Sequence, residues 1–497
     1  MSTRVAQRWS VPLLLTWCAF LFFYGVNGSE LYRTESLRAI IGAECLRDGH
    51  WLVPTLYGQP LLTKPPGMYV AIAACSWPFG EVTQWSARLP SALGATATVF
   101  LFYWYFGRIL GRAGGLLAAI CLPMSLFWLD KAPSAEIDML QVAWIAGAVL
   151  FGLRAVEAAE DAEGTPSWPW FLAALGCVAG GFLTKWTAPL FFYATLLPLL
   201  YWRGRLRLLW GVPHLAGVVL ATSLCLGWAA WAASLTGWEE FRDTVWREAV
   251  QHLSPVHHQA TVRQLGEHHH DKLDYWGHAL AFPPKILGMS LPWSFFALLA
   301  LRPSFYRSLS GKRQFLLQAL HCWTWPNLLI WTFLPDPSPR HAAPLLPGIT
   351  GLAALWLVCR FQTELVVARK CWAGMAFTSL LIAWIVAKVI FVQVVMPARM
   401  AERAPCAKGG QIAAQVPGGQ LLYLCRVKDE GIMFYYGRPV RRLETPDLLP
   451  SPGEPMYCML TGDEWRDWTR RRPAELLLEL HDQQGDPIAL VRVSADR

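Results

Sequence analysis

The sequence predicts a mainly α fold: a polytopic membrane helix bundle of about eleven spans, with interfacial helices in its first outer loop and a small C-terminal α/β soluble domain. Three observations carry this expectation. Hydrophobic residues make up 54% of the 497-residue chain and Asp, Glu, Lys and Arg only 16%, against roughly 25% charged in ordinary soluble domains. The charge is unevenly placed. Residues 396–497 hold 14 Lys and Arg and 14 Asp and Glu, while 1–395 is charge-poor and carries the whole net charge of +8. Finally, apolar runs near the length a helix needs to cross a bilayer recur along 1–395. The domain boundary is therefore expected between 1–395 and 396–497. Disordered, collagen-like and nucleic-acid-binding classes are excluded, and the excess of Lys and Arg fits cytoplasmic loops.

Taken in order, spans are expected at 10–27, 88–106, 113–130, 138–153, 168–184, 186–202, 212–235, 285–301, 314–334, 342–359 and 371–395. The first follows a short basic segment, with no small-residue cleavage site before Glu30, and reads as an anchor. Residues 34–47 have a helical period, with Leu37, Ile40, Ile41 and Cys45 or Leu46 on one face. The stretch 66–80 is too short to span and reads as a helix lying in the interface. With the N-terminus inside, the basic groups at Arg108, Arg203, Arg302 and Arg360 and their neighbours all fall on the cytoplasmic side. The outer face then receives 28–87, 131–138, Lys185, 236–285, 335–341 and the tail. Apolar runs broken by Gly and Pro, together with an amphipathic run at 463–481, make the tail a small α/β domain. Most of the twelve cysteines lie in or beside apolar runs, as small hydrophobes. Cys406, Cys425 and Cys458 in the tail could supply one bridge in an oxidising compartment.

The polar residues that need explaining fall on that outer face. Glu30, Arg33, Glu35, Glu44 and Lys64 cluster in the first loop. Glu35 either charges a helix start or takes a proton at the membrane surface. Lys64 precedes Pro65-Pro66, which stiffen the chain. It either snorkels or meets a phosphate as a point charge. Asp138 opens an apolar run after Lys131-Ala-Pro-Ser-Ala-Glu136, and a carboxylate at that depth points to function more than to a cap. Glu136, two residues away, is expected on another face. Lys185 and Arg340-His341 could complete a cationic pocket or act as interface anchors. The loop His252–His278 holds seven of the twelve histidines and offers a divalent metal weak surface ligation, without the spacing of a zinc hydrolase. No dinucleotide fingerprint, P-loop or nucleophile elbow is present.

The run Glu44–Tyr69 (ECLRDGHWLVPTLYGQPLLTKPPGMY), followed by WSARLPSAL (Trp85–Leu93), resembles the aminoarabinose-transferase and protein O-mannosyltransferase-like family. Further matches are the Asp138 junction, GFLTKW (Gly181–Trp186), LPWS (Leu291–Ser294) and RHAAPLLP (Arg340–Pro347). The resemblance covers nearly the whole chain. It implies an integral membrane glycosyltransferase that takes a sugar from a polyprenyl-phosphate donor and faces outward from the cell inner membrane, with a cytoplasmic N-terminus and a periplasmic C-terminus. The family's acidic pair falls on Thr34-Glu35, so its first acid is Thr here. The second-loop acid falls on Asp138 and the phosphate-side lysine on Lys64. The expected catalytic residues are thus Asp138, Glu35 and Glu30. The expected substrate-binding residues are Lys64, Arg33, Tyr57, Lys185, Arg340 and His341. No cofactor or metal is required, because a lipid phosphate is already a good leaving group. The partners implied are the donor, a lipid, glycan or protein acceptor, and membrane lipids, with no nucleic acid. The competing readings are a transporter or flippase of lipid-linked sugars, and a non-catalytic relative that only binds polyprenyl phosphate.

Overall fold

A chain so apolar must satisfy its backbone groups internally, and it does so mostly as helices. The computed structural model describes residues 3–160, 167–253, 275–334, 338–367, 372–401, 403–450, 455–468 and 473–494. Two compact units emerge. One comprises Met1–Tyr24, Leu62–Met68 and Pro90–Lys388, the other Gly25–Leu61, Tyr69–Leu89 and Val389–Arg497. The cut expected at 395 is one of composition, whereas these units are defined by packing.

The first unit is helical. It contains Thr3–Cys18, most of Gln84–Cys121, Ile137–Glu160, Trp168–Phe182, Ala188–Trp202, Val212–Thr236, Trp238–Leu253, Tyr275–Met289, Trp293–Leu299, Gly311–Phe333 and Leu346–Val367, and most of Trp372–Ile390. Five helical stretches among the described residues are long and apolar enough to cross a membrane: Gln84–Cys121, Ile137–Glu160, Val212–Thr236, Pro339–Phe361 and Trp372–Ala401. Four shorter apolar helices accompany them. Two expected spans are interrupted. The run 113–130 stops at Cys121, and a separate short helix, Leu126–Lys131, follows Pro123, which cannot continue a helical ladder. The run 285–301 is divided between Tyr275–Met289 and Trp293–Leu299, with Pro292 in the break. Gly111, at φ 77° and ψ 165°, separates two helices within Gln84–Cys121. Only glycine adopts that backbone readily. The core is aromatic: Trp128, Trp293, Trp323, Phe102, Phe106 and Phe191 are fully buried.

In the second unit the helix expected at 34–47 runs Thr34–Asp48 and stops at Gly49, which is left-handed (φ 75°). A tight hairpin follows, pairing β1 (Thr55–Leu56) with β2 (Gln59–Pro60). The tail folds as an α/β domain. Its strands are β3 (Leu422–Cys425), β4 (Val440–Leu443), β5 (Met456–Thr461), β6 (Ala474–His481) and β7 (Pro487–Val493), in the order β4-β3-β5-β7-β6. β3 is parallel to β4 and β5, and β7 is antiparallel to β5 and β6. The amphipathic run expected at 463–481 is corrected here. Its helix is only Gly462–Arg466, closed by a capping box between Thr461 and Glu464, and 474–481 pairs as strand β6. Ladder bonds to β7 outweigh the helical pattern of that segment. One side of the domain packs Ile412, Leu424, Ile432, Met433 and Leu490 together with Ile40, Ile41 and Cys45 of the first loop. Another cluster holds Cys425, Cys458, Leu460, Trp468 and Val491. Among the described residues no disulfide joins the tail's cysteines.

Candidate active site

In the first unit, the start of helix Ile137–Glu160 places Asp138 in its first turn, where the helix dipole favours a carboxylate. Asp138 is buried, and Lys185 Nζ donates to its Oδ1 at 3.1 Å. Lys185 follows helix Trp168–Phe182, and its N–H donates to the Gly181 carbonyl at 2.8 Å. Burial pushes the Lys185 ammonium below the ordinary lysine range. Asp138 opposes that shift, whereas the positive charges of Arg340 and Lys64 reinforce it. Lys64 and Arg340 thus lie near enough to Lys185 for their charges to act on it, and an anion beside Lys185 would offset that repulsion.

Lys64 is held there by its backbone. The Gly67 N–H donates to the Leu183 carbonyl at 2.8 Å, and a Cβ on Gly67 would lie 2.6 Å from Thr184 Oγ1. Only glycine allows the Lys-Pro-Pro-Gly segment to approach the turn before Lys185 so closely. The indole of Trp186 donates to the Thr63 carbonyl at 3.4 Å. The Lys64 ammonium pairs with Glu248 on helix Trp238–Leu253. That acid was missed from sequence, although the acidic, amphipathic WEEFRDTVWREAV pattern carried a signal for the helix.

Arg340 and His341 lie on a 3-10 turn, Pro339–Leu345, and the His341 ring is 6.4 Å from that of Trp331. Arg340 Nη1 is 3.8 Å from Glu136 Oε2. Lys131 Nζ donates to Glu136 Oε1 at 3.0 Å and contacts Asp130 at 3.1 Å. Burial disfavours the Lys131 ammonium, but Glu136 and Asp130 outweigh it and hold its pKa above the ordinary value. The expectation that Glu136 faces elsewhere is corrected. The helix begins at Ile137, so helical spacing does not govern Glu136, and it reaches Arg340, whose charge also acts on Lys185.

The other expected residues belong to the second unit. Glu35 is gripped by Arg88, whose Nε and Nη2 each donate to one carboxylate oxygen at 3.0 Å. Arg88 is almost wholly buried and also donates to the carbonyls of Val26, Ser29 and Glu30. A bidentate guanidinium takes one lone pair on each carboxylate oxygen and fixes the side chain's direction, which suits Glu35 to holding the loop. Arg88 lies within WSARLPSAL, but nothing in the sequence paired it with Glu35. Glu30 Oε2 accepts the Cys406 N–H at 3.0 Å. Arg33, at φ 50°, stands before helix Thr34–Asp48 with its guanidinium 5.8 Å from the Tyr32 ring. Tyr57 turns the hairpin at φ 56°. Its N–H donates to Glu44 Oε1 at 2.7 Å, and its ring is buried beneath the Arg442 guanidinium at 4.9 Å. Burial drives its phenol above the ordinary tyrosine pKa. Tyr57 thus packs as a turn residue, organised by Glu44, which also takes Thr55 Oγ1 at 2.6 Å. The His252–His278 tract lies outside the described residues for its side chains. Among the described residues, no group of three His, Cys, Asp or Glu could hold a metal ion.

Comparison with known proteins shows what the chain is similar to. The family model described as dolichyl-phosphate-mannose-protein mannosyltransferase matches residues 63–231, the segment carrying Lys64, Asp138 and Lys185. An undecaprenyl phosphate-alpha-4-amino-4-deoxy-L-arabinose arabinosyl transferase of Erwinia tasmaniensis is 25% identical over 65% of this chain and 54% of its own length. A Sodalis glossinidius protein of the same description is 28% identical over 53% of this chain and 48% of its own. The chain thus spans about half the length of these relatives. In fold, the crystal structure of ArnT from Cupriavidus metallidurans bound to undecaprenyl phosphate superposes with a TM-score of 0.74 at 16% identity, covering 97% of both chains. The Archaeoglobus fulgidus oligosaccharyltransferase matches less closely, with a TM-score of 0.53 over 88% of this chain and 64% of that one. The family-model match over residues 63–231, the curated relatives and the shared fold all make the chain similar to integral membrane proteins of the aminoarabinose-transferase and protein O-mannosyltransferase-like family.

Proposed function

We propose that this membrane protein moves a sugar from a polyprenyl-phosphate carrier to a hydroxyl or phosphate of a cell-envelope acceptor, on the outer side of the inner membrane. The observation that carries the reading is the buried pair of Asp138 and Lys185, with Lys64 and Arg340 near enough for their charges to act on Lys185. The three cations suit the donor phosphate and the negative charge that grows on it as it leaves. Asp138 takes the proton of the acceptor hydroxyl while its oxygen attacks the anomeric carbon. The bond from that carbon to the phosphate oxygen breaks, the phosphate keeps the electron pair, and the anomeric centre inverts. His341, next to Arg340, adds an imidazole at the phosphate end. The relatives' descriptions name undecaprenyl phosphate and an aminoarabinose unit as their substrates. For this chain the proposal extends to the polyprenyl-phosphate class, and lipid, glycan and protein acceptors all remain within it. Comparing envelope lipids and glycans by mass spectrometry with and without the gene tests it. An unchanged profile overturns it.

One observation favours a second reading. Thr34 stands where the family's first acid falls, and Arg88 occupies the adjacent Glu35. A protein that binds polyprenyl phosphate without transferring sugar fits those two facts. Turnover by the purified chain separates the two readings.

Lys64→Ala is expected to weaken donor binding far more than acceptor binding, because it removes one of the three positive charges. Titrating each substrate separately checks this. A change confined to the acceptor would move Lys64 to the acceptor side of the site. The orientation carries its own prediction. A reporter fused after Arg497 should be active outside the cytoplasm, since the basic loops then all lie inside. A reporter active only in the cytoplasm would reverse the faces.

A further inference from the structure

Glu136 is an acid that the proposed reaction does not use, yet it lies near Arg340, one of the same cations. It sits in the turn before helix Ile137–Glu160 and is fixed through its backbone. Its N–H donates to the Ser134 carbonyl at 2.8 Å, and its carbonyl accepts Ser91 Oγ at 2.9 Å. The side chain is fixed too, because Lys131 holds Oε1 at 3.0 Å. The remaining oxygen, Oε2, is buried and has no hydrogen-bond partner among the described residues. Arg340 Nη1 lies 3.8 Å from it, beyond hydrogen-bond length. Arg340 is the opposite kind of group, with a long side chain 43% exposed.

We propose that Glu136 is a positioning residue for Arg340, restraining its guanidinium so that one edge faces the donor phosphate. This rests on the reading of Arg340 as a phosphate-binding residue. A long side chain loses rotamer freedom when it closes on a ligand, and a side chain already restrained loses less. The planar fork of Arg can keep one N–H toward Oε2 and offer others to a phosphate, which an ammonium cannot do with the same geometry. A carboxylate immobilised by Lys131 and by its own backbone cannot follow the guanidinium away, so it supplies a fixed direction. Asp138 does different work: it faces Lys185 and the acceptor.

The test uses the full chain in lipid nanodiscs, with undecaprenyl phosphate as the binding probe and transfer kinetics as the second readout. Glu136→Gln keeps the shape and removes the charge. It should raise the Kd for undecaprenyl phosphate by roughly three- to tenfold, with a smaller change in kcat. The same substitution in an Arg340→Ala background should change the Kd little, because its partner is already gone. Glu136→Asp, which keeps the charge on a shorter arm, should give an intermediate loss that also vanishes without Arg340. A purely structural role would lower kcat and assembly without this coupling. The inference is overturned if the Glu136 and Arg340 effects on Kd simply multiply, or if Glu136→Gln leaves Kd unchanged while Arg340→Ala weakens it. If Arg340→Ala itself leaves Kd unchanged, the donor assignment of Arg340 fails first.

Discussion

Asp138→Asn should lower sugar transfer by roughly 10²–10⁴-fold, the usual contribution of a positioned general base. The substitution is nearly isosteric, and its carbonyl oxygen can still accept from Lys185, which now bonds Oδ1 at 3.1 Å. The fold has a way to tolerate it. The amide oxygen keeps the hydrogen bond, so Lys185 keeps a partner and its charge stays available to the donor phosphate. Donor binding should not weaken to a similar degree, since removing a negative charge beside the phosphate does not oppose an anion. The pattern to measure is therefore a collapse of kcat with donor Kd little changed, on purified and correctly inserted protein. Turnover at the wild-type rate would remove Asp138 from the role of base. An equal collapse of donor binding would make it a binding residue instead.

The largest stability effect should come from Arg88→Met. Arg88 is almost wholly buried and ties Glu35 to the carbonyls of Val26, Ser29 and Glu30. Removing one partner of such a pair leaves a buried carboxylate without its countercharge, which costs about 3–5 kcal/mol. Removing both partners costs much less, because no orphaned charge remains. Arg88→Met alone should thus lower the thermal unfolding midpoint of the detergent-solubilised protein strongly, and Arg88→Met with Glu35→Gln should recover much of the loss. If the single variant melts with the wild type, the pair is not what holds the first loop. If the double variant melts as low as the single, the backbone contacts of Arg88 outweigh its charge on Glu35. Glu35 itself offers an independent check. Were it the base, Glu35→Gln would abolish turnover with little change in melting, whereas a residue that positions the loop would show the reverse order of effects.

These two predictions concern residues that differ in how far the sequence alone exposes them. Asp138 stood out because a carboxylate opening an apolar run is expensive wherever it lies, and that cost is a property of the local sequence. Lys64 stood out for a similar reason: the two prolines that follow it stiffen the backbone without help from distant residues. The helix Thr34–Asp48 was also legible, since its period is local. Arg88 is the counter-example. It opens the span expected at 88–106, and only the fold brings it onto Glu35, 53 positions away.

By itself, then, the sequence determined the helical, membrane-embedded class, the α/β tail, the first-loop helix and the residues at which charge meets apolar surface. Each of these follows from hydropathy, charge density or backbone stereochemistry within a few residues. Tertiary structure decided which charges compensate one another. Arg88 holds Glu35, Lys185 faces Asp138, Glu248 meets Lys64, and Glu136 lies between Lys131 and Arg340. It also made 474–481 a strand by offering β7 as a partner, and it divided two apolar runs at their prolines. The physical reason is common to all of these. An ion pair or a ladder bond depends on distance in space, and residues far apart in sequence have no preferred distance until the chain has packed.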